Sequence, residues 1–379
     1  MREVVIVDGC RSAVGKKDGA LTNIRSDDLL AIILKELINR TKVPMELVDD
    51  VIIGTVTQTK EQAMNIARDA LLMAGFPTHV PGVTIDRQCG SSQQAVHFGA
   101  QAILAGDMDI VIAGGVESMT RSPMFSNVGG TKPSKRLAEK YEIVNQGIAA
   151  EKIAEKWGLS REKLDEYSLR SHEKAIQAIR KGFYEKEIVP ITIGENVFKT
   201  DEGPRENTSL EALSNLRPVF KEDGLITAGN ASQMSDGASA VLLMERKKAE
   251  ELGLKPKAKI LTRVVVGSDP TLMLTGPIEA TKRALERANL SIDEIDLFEV
   301  NEAFAPVPLA YLAETKADEE KLNVNGGAIA LGHPLGATGT KLLTSLMYEL
   351  ERTNGKYGLL AICEGMGMAN ATIIERIDS

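Results

Sequence analysis

The strongest constraint in this chain is an alternation that runs through it twice. Short apolar runs closed by turn residues, Val4-Val5-Ile6-Val7, Val51-Ile52-Ile53-Gly54 and Ile110-Val111-Ile112-Ala113, are separated by stretches with apolar residues three and four apart. The runs have the length of buried strands, and the spacing between them predicts helices over about 27–39 and 64–73. Strands alternating with helices predict an α/β chain with a largely parallel sheet. The segment 11–16 reads as a loop. From about 278 the order repeats: a helix to about 288, a strand over 296–300, a Gly-rich turn at Asn325-Gly326-Gly327, a helix through Leu342, Leu343, Leu346 and Met347, and a strand over 359–362. We read two duplicated α/β halves, 1–248 and 256–379, each supplying a loop to one site. The first half is interrupted by an excursion of about 118–231, Gly-, Pro- and Ser-rich at first, then carrying charged amphipathic helices over about 147–157 and 160–181.

Composition excludes several functions. A chain of 379 residues, 43% hydrophobic, buries a full core, and a net charge of −8 argues against nucleic acid as a partner. An anionic ligand must then be met by local positive charge. Three cysteines, widely spaced and odd in number, fit a reducing compartment rather than a disulfide framework. No basic leader or membrane-length apolar run stands out, so a cytoplasmic protein without membrane association is expected. Cys-x-x-Cys and His-x-x-x-His spacings are absent, so no metal site is expected. The stretch 332–341 resembles a phosphate loop, but Thr340 separates Gly339 from Lys341.

Three residues carry the chemistry. Cys89 follows the strand-like Gly82-Val83-Thr84-Ile85 and precedes a helical pattern of Ala95, Phe98, Ala102 and Ile103. A thiol at a helix N-terminus meets unpaired N–H groups and the positive end of the dipole, which lower its pKa and favour a nucleophilic thiolate. The Gly90-Ser91-Ser92 that follows leaves room for a substrate. His333, between Gly332 and Pro334, sits in more small-residue space than a core histidine needs, and its neutral imidazole can take a thiol proton or donate to an oxyanion. Cys363 ends an apolar strand and enters Glu364-Gly365-Met366-Gly367, where it can act as acid or base and Gly365 lets the main chain approach a substrate oxygen. His79, His97 and His172 read as packing or surface residues.

Taken together with Ala113-Gly114-Gly115-Val116-Glu117-Ser118-Met119, Thr227-Ala228-Gly229-Asn230-Ala231-Ser232, Asn301-Glu302-Ala303-Phe304 and 323–334, these segments resemble the thiolase family in the right order over nearly the whole chain. The resemblance implies a five-layered αβαβα fold with the excursion as a loop domain binding coenzyme A. It implies an acyltransferase working by ping-pong through an acyl-Cys89, in reversible condensation or thiolysis of 3-ketoacyl-CoA. His333 would accept the Cys89 proton and Cys363 would move the α-proton of acetyl-CoA. His333 and a water held by Asn301 would form one oxyanion site, and the N–H groups of Cys89 and Gly365 the other. For coenzyme A the resemblance points to Arg205 near the adenosine end, Ala231 and Ser232 at the pantetheine, and Ala228, Ala303 and Phe304 beside them. Acyl-CoA and acetyl-CoA enter as substrates, with no further cofactor.

Two departures bear on this. Met366 stands where many thiolases have glycine, which matters if the position needs positive φ. Asn145-Gln146 replaces the His-Met common in short-chain synthetic members, weakening a strict acetoacetyl-CoA specificity. A homodimer is the first expectation and a homotetramer the second. A decarboxylating ketosynthase of the same fold would not need Cys363, and a non-catalytic acyl-CoA-binding subunit would not need Cys89, Asn301, His333 and Cys363 together.

Overall fold

The computed structural model describes residues 2–378. Nine strands follow one another in space as Leu297–Val300, Tyr357–Glu364, Met368–Arg376, Ala258–Gly267, Val4–Ser12, Ser235–Glu245, Ile110–Ser118, Asp50–Gly54 and Gly82–Ile85. Within the first half, Val4–Ser12 pairs antiparallel with Ser235–Glu245, which pairs antiparallel with Ile110–Ser118. Asp50–Gly54 and Gly82–Ile85 then continue in parallel. The second half repeats that order: Ala258–Gly267 antiparallel to Met368–Arg376, antiparallel to Tyr357–Glu364, parallel to Leu297–Val300, with a parallel bridge from Phe298 to Leu322. Among the described residues the two sheets join edge to edge at Val5–Lys259 and Ile6–Ala258.

The sheet is therefore mixed, not largely parallel. The strands Ala258–Gly267 and Met368–Arg376 carry polar residues such as Arg263, Asn370 and Thr372 among their apolar ones, which hides them from a search for apolar runs. The segment 11–16 is likewise not a loop. Arg11 and Ser12 complete the first strand, and Gly15–Lys16 pairs with the start of Ser235–Glu245. A charged residue fits there because Arg11, 1% exposed, donates to Glu187 Oε1 at 2.5 Å and to both oxygens of Asp201 at 2.7 and 3.0 Å.

Side-chain alternation along the strands builds five layers. Val5, Val7, Val51, Ile53, Ile110, Ile112, Leu242 and Met244 face outward under the helices Ser26–Thr41 and Ile66–Met73. Val4, Ile6, Val111, Ala113, Val241 and Leu243 face inward, toward the helices Ser91–Ala105 and Thr338–Thr353. Leu360, Ile362 and Ile374 reach those same helices from the second sheet. Its other face, with Leu359, Ala361, Ala371 and Ile373, is covered by Gly276–Ala288 and by Tyr311 of Pro306–Thr315. The apolar stripe expected on the Cys89 helix is rotated slightly: Ala95, Val96, Gly99, Ala100 and Ile103 are buried, whereas Phe98 is 40% exposed.

The two central helices start in contact, and this positions the site. A Cβ on Gly339 would overlap the Gln93 amide, and one on Gly115 would overlap the Gly336 carbonyl. Thr340 N donates to Ser92 Oγ at 3.0 Å, stitching the first turns together. The helices Gln146–Lys156 and Arg161–Arg180 of the excursion pack Ala150, Ile153, Leu164 and Tyr167 against Ala303, Ala305 and Ala310. No helix among the described residues is long and apolar enough to cross a membrane.

Candidate active site

Four segments converge at the ends of the central helices. Cys89 sits on a tight turn in which Gln88 has φ 48°, Ser91 Oγ accepts from Arg87 N at 2.9 Å, and Ser91 Oγ donates to Gln88 O at 2.6 Å. Helix Ser91–Ala105 begins two residues later, after Gly90. Gly365 lies against this turn: a Cβ there would come within 3.0 Å of Gln88 Oε1. Glu364, the neighbour of Cys363, packs its carboxyl on Gly90, the neighbour of Cys89. Asn301 extends from the strand next to that of Cys363, its N–H donating to Ala361 O at 3.1 Å, and its Nδ2 is 3.4 Å from His333 Nε2. Asn301 Oδ1 is buried without a hydrogen-bond partner in the protein, as suits a group that orders a small polar ligand.

The tautomer of His333 follows from its other nitrogen. Thr338 Oγ1 spends its single proton on Pro334 O at 2.9 Å, so toward His333 Nδ1, at 2.7 Å, it accepts. Nδ1 carries the proton, and the unprotonated Nε2 accepts from Asn301 Nδ2 at 3.4 Å. Burial, reinforced by Lys341, pushes the imidazole down to about 3, so it is neutral across about pH 5 to 8.

The thiols behave differently from the sequence expectation. Burial pushes Cys89 well above its ordinary value, with Cys363 and Glu364 adding to the effect and its own N–H opposing it. The expected lowering at the helix N-terminus is outweighed because the sulfur is 5% exposed and desolvation penalises the thiolate. Cys363, fully buried, is pushed up to about 12 for the same reason. At rest both sulfurs are thiols.

Two buried carboxylates that the sequence reading assigned no role hold the loops. Glu117 accepts from Val56 N, Thr57 N, Gln62 Nε2 and Gly336 N at 2.9–3.0 Å, tying the first half to the His333 loop. Glu302 accepts from Tyr167 Oη, Ser171 Oγ, Asn323 Nδ2 and Ile329 N at 2.7–3.1 Å, tying the excursion to Asn301. Their only signal in the sequence was a charged residue directly beside an apolar strand. Thr338 was also missed; its signal was a hydroxyl five residues after His333.

Arg205, Ala228, Ala231 and Ser232 line one surface cleft of about 540 Å³, together with Lys16, Lys17, Gln233 and Met234. Ala303 and Phe304 do not line it. They are buried behind it, where Ala231 bridges to Phe304 and Ser232 N donates to Ala303 O at 3.0 Å. The cleft adjoins the His333 loop, where Gln233 O accepts from His333 N at 3.1 Å. Against its one acidic residue, Glu202, stand Lys16, Lys17 and Arg205, the local positive charge an anionic ligand requires. Of the other histidines, His97 and His172 are buried and His79 is exposed. His172 Nδ1 accepts from Arg205 N at 3.1 Å and so supports the cleft.

Two related α/β halves closing around two thiols and a neutral imidazole, with a basic cleft adjoining the His333 loop, define an enzyme built to handle thioesters. The chain belongs to the thiolase family and is an acyltransferase: it matches the thiolase N-terminal domain over residues 4–247 and the thiolase C-terminal domain over 254–376. It is 51% identical to a steroid 3-ketoacyl-CoA thiolase, FadA6, of Mycobacterium tuberculosis, over 100% of this chain and 95% of that one. It is 46% identical to a 3-ketoacyl-CoA thiolase of Bacillus subtilis, over 99% and 100%. The crystal structure of the Bacillus anthracis acetyl-CoA acetyltransferase superposes with a TM-score of 0.92 at 40% identity, over 100% of this chain and 99% of that one.

Proposed function

We propose that this thiolase cleaves 3-ketoacyl-CoA with coenzyme A through an acyl-Cys89, His333 taking the Cys89 proton and Cys363 protonating the departing acetyl-CoA. The observation that carries this reading is the unprotonated Nε2 of His333, its tautomer fixed by Thr338, within a site that also holds both thiols. Neither an isolated thiolate nor an isolated imidazolium is stabilised in so buried a place, so proton transfer to His333 accompanies attack of Cys89 Sγ on C3 of the substrate. The C2–C3 bond then breaks. Its electron pair forms the acetyl-CoA enolate, which takes the Cys363 proton at C2, and the acyl group stays on Cys89. Coenzyme A attacks that thioester, and its thiol proton restores the starting state. Condensation is the same path reversed.

The enolate oxygen would be met by His333 and by a water at Asn301, and the acyl oxygen by the N–H groups of Cys89 and Gly365. Met366 supports the last of these. It adopts φ 66°, so the turn keeps the left-handed backbone a glycine would take, at a cost of roughly 1–2 kcal/mol. Coenzyme A would lie in the basic cleft. Arg205→Ala is expected to raise KM for coenzyme A about threefold to tenfold with kcat unchanged, an effect that weakens at high ionic strength. Steady-state kinetics at two salt concentrations check this.

For the acyl chain we infer a preference beyond acetoacetyl-CoA, and the name of one relative above, the steroid 3-ketoacyl-CoA thiolase, points the same way. Asn145, in place of the histidine of short-chain members, uses its side chain to cap a helix, accepting from Gly147 N at 2.8 Å. Thiolysis of 3-ketoacyl-CoAs of increasing length is expected to give a higher kcat/KM for medium or long chains than for acetoacetyl-CoA, and the reverse order would refute the preference. Mass spectrometry of the quenched reaction should find the acyl group on Cys89. We further propose a cytoplasmic homodimer, to be checked by light scattering. The terminal strand Gly82–Ile85, with Val83 40% exposed and one edge unpaired among the described residues, is where a second copy would add.

A further inference from the structure

Glu364 follows Cys363 in the chain and is fully buried. It ends its strand opposite Met368, and a Cβ on Gly90 would overlap its carboxylate, so the carboxyl rests on the residue between Cys89 and the first helical residue. One oxygen has a donor. With the Asn370 amide turned to satisfy both its ends, Nδ2 donates to Glu364 Oε1 at 3.0 Å and the amide oxygen accepts from Gln94 N at 3.2 Å. Oε2 has no hydrogen-bond partner. The titratable or charged groups facing it are Asp86 and Arg87 on the loop before the helix, Cys89 on the turn, and Cys363 on its own strand.

This differs from the other buried carboxylates of the site. Glu117 and Glu302 each collect four donors and act as struts. A strut with a single donor and a bare oxygen is poorly made, whereas a carboxyl meant to change charge has to be left under-solvated. We propose that Glu364 is a positioning residue that acts through both cysteines: its carboxylate, seated on the turn carrying Cys89 and joined to Cys363, opposes loss of a proton from either thiol. The assignment rests on the roles given above to Cys89 and Cys363.

Burial pushes Glu364 up to about 8, with Arg87 opposing the shift and Asp86 adding to it. Near neutrality the carboxyl therefore holds its proton and imposes no charge. As pH rises Glu364 ionises before the thiols do, and its charge then delays them. Above about pH 8 that charge adds to burial in keeping Cys363 protonated, the form thiolysis needs. Neither sulfur stands idle as a thiolate, the form that oxidises and alkylates.

The test is the rate of iodoacetamide alkylation at Cys89, resolved by peptide mass spectrometry, for the wild type and E364Q over about pH 6 to 10. The two curves should coincide below about pH 7 and part above about pH 8, with E364Q several-fold faster at about pH 9, since one unit in a thiol midpoint is tenfold in thiolate. The wild-type curve should also be broader than a single-proton titration, because Glu364 and Cys89 lose their protons as a coupled pair. Identical curves would overturn the proposal, and so would an E364Q offset by one factor at every pH, which marks a packing defect. Should E364Q fail to fold, a single-proton profile in the wild type overturns it alone. Alkylation reads the Cys89 thiolate without turnover, so failure here is distinct from failure of the catalytic roles, which thiolysis assays read.

Discussion

Cys89→Ala is expected to lower kcat for thiolysis on the order of 10⁴- to 10⁶-fold, with little change in KM for the ketoacyl-CoA. The loss is large because no other group near the turn can carry the acyl chain. His333 has its Nδ1 proton tied to Thr338, and Cys363 sits across the site on another strand. Binding survives because the cleft residues Lys16, Lys17, Arg205 and Ser232 do not depend on the sulfur. The substitution removes one buried sulfur, so the fold should lose no more than about 1–2 kcal/mol, a change that thermal unfolding would register separately. Steady-state thiolysis and intact-mass detection of the acyl-enzyme are the measurements. A variant that kept even a hundredth of the wild-type kcat would remove Cys89 from the role of nucleophile.

Cys363→Ala is expected to cost about 10²- to 10⁴-fold in thiolysis, the range of a lost general acid, while leaving the first thiol able to exchange acyl groups. The separation follows from the geometry. On the proposed roles, acyl transfer between coenzyme A and Cys89 needs only Cys89, His333 and the oxyanion contacts, whereas breaking C2–C3 also needs a proton delivered to carbon. Burial holds Cys363 at about 12, so in the free enzyme it carries its proton through the whole physiological range and is ready as an acid. Exchange of labelled coenzyme A into acetyl-CoA should persist in this variant. If exchange and thiolysis fell by the same factor, the two sulfurs would not have separate duties.

Much of the architecture was legible because the information was periodic. The duplicated order of strands and helices and the Gly-rich turn before His333 could be read residue by residue. Antiparallel pairing could not, since Ala258–Gly267 and Met368–Arg376 bury polar side chains whose partners lie far away in sequence. His97 Nε2, for instance, meets Thr372 Oγ1 at 2.8 Å across a separation of 275 residues. Cys89 and Cys363 stood out by their small neighbours and by their places at a helix start and a strand end, but their protonation could not be read. A helix N-terminus is visible in sequence, whereas the depth at which it is buried is not, and depth decided the sign. Glu117, Glu302 and Glu364 were hidden for a related reason: a carboxylate beside an apolar strand looks the same on paper whether it has four donors or one.

Each half packs its outer helices on its own sheet, but the two halves share their middle layer. Helices Ser91–Ala105 and Thr338–Thr353, one from each half, fill a single space between the two sheets, with glycine at the crossing where nothing larger fits. An error of packing anywhere along that seam is transmitted to Cys89 and to His333 alike. Once joined, the duplicated units could drift apart in surface and substrate preference, but not in the shape of the wall they share.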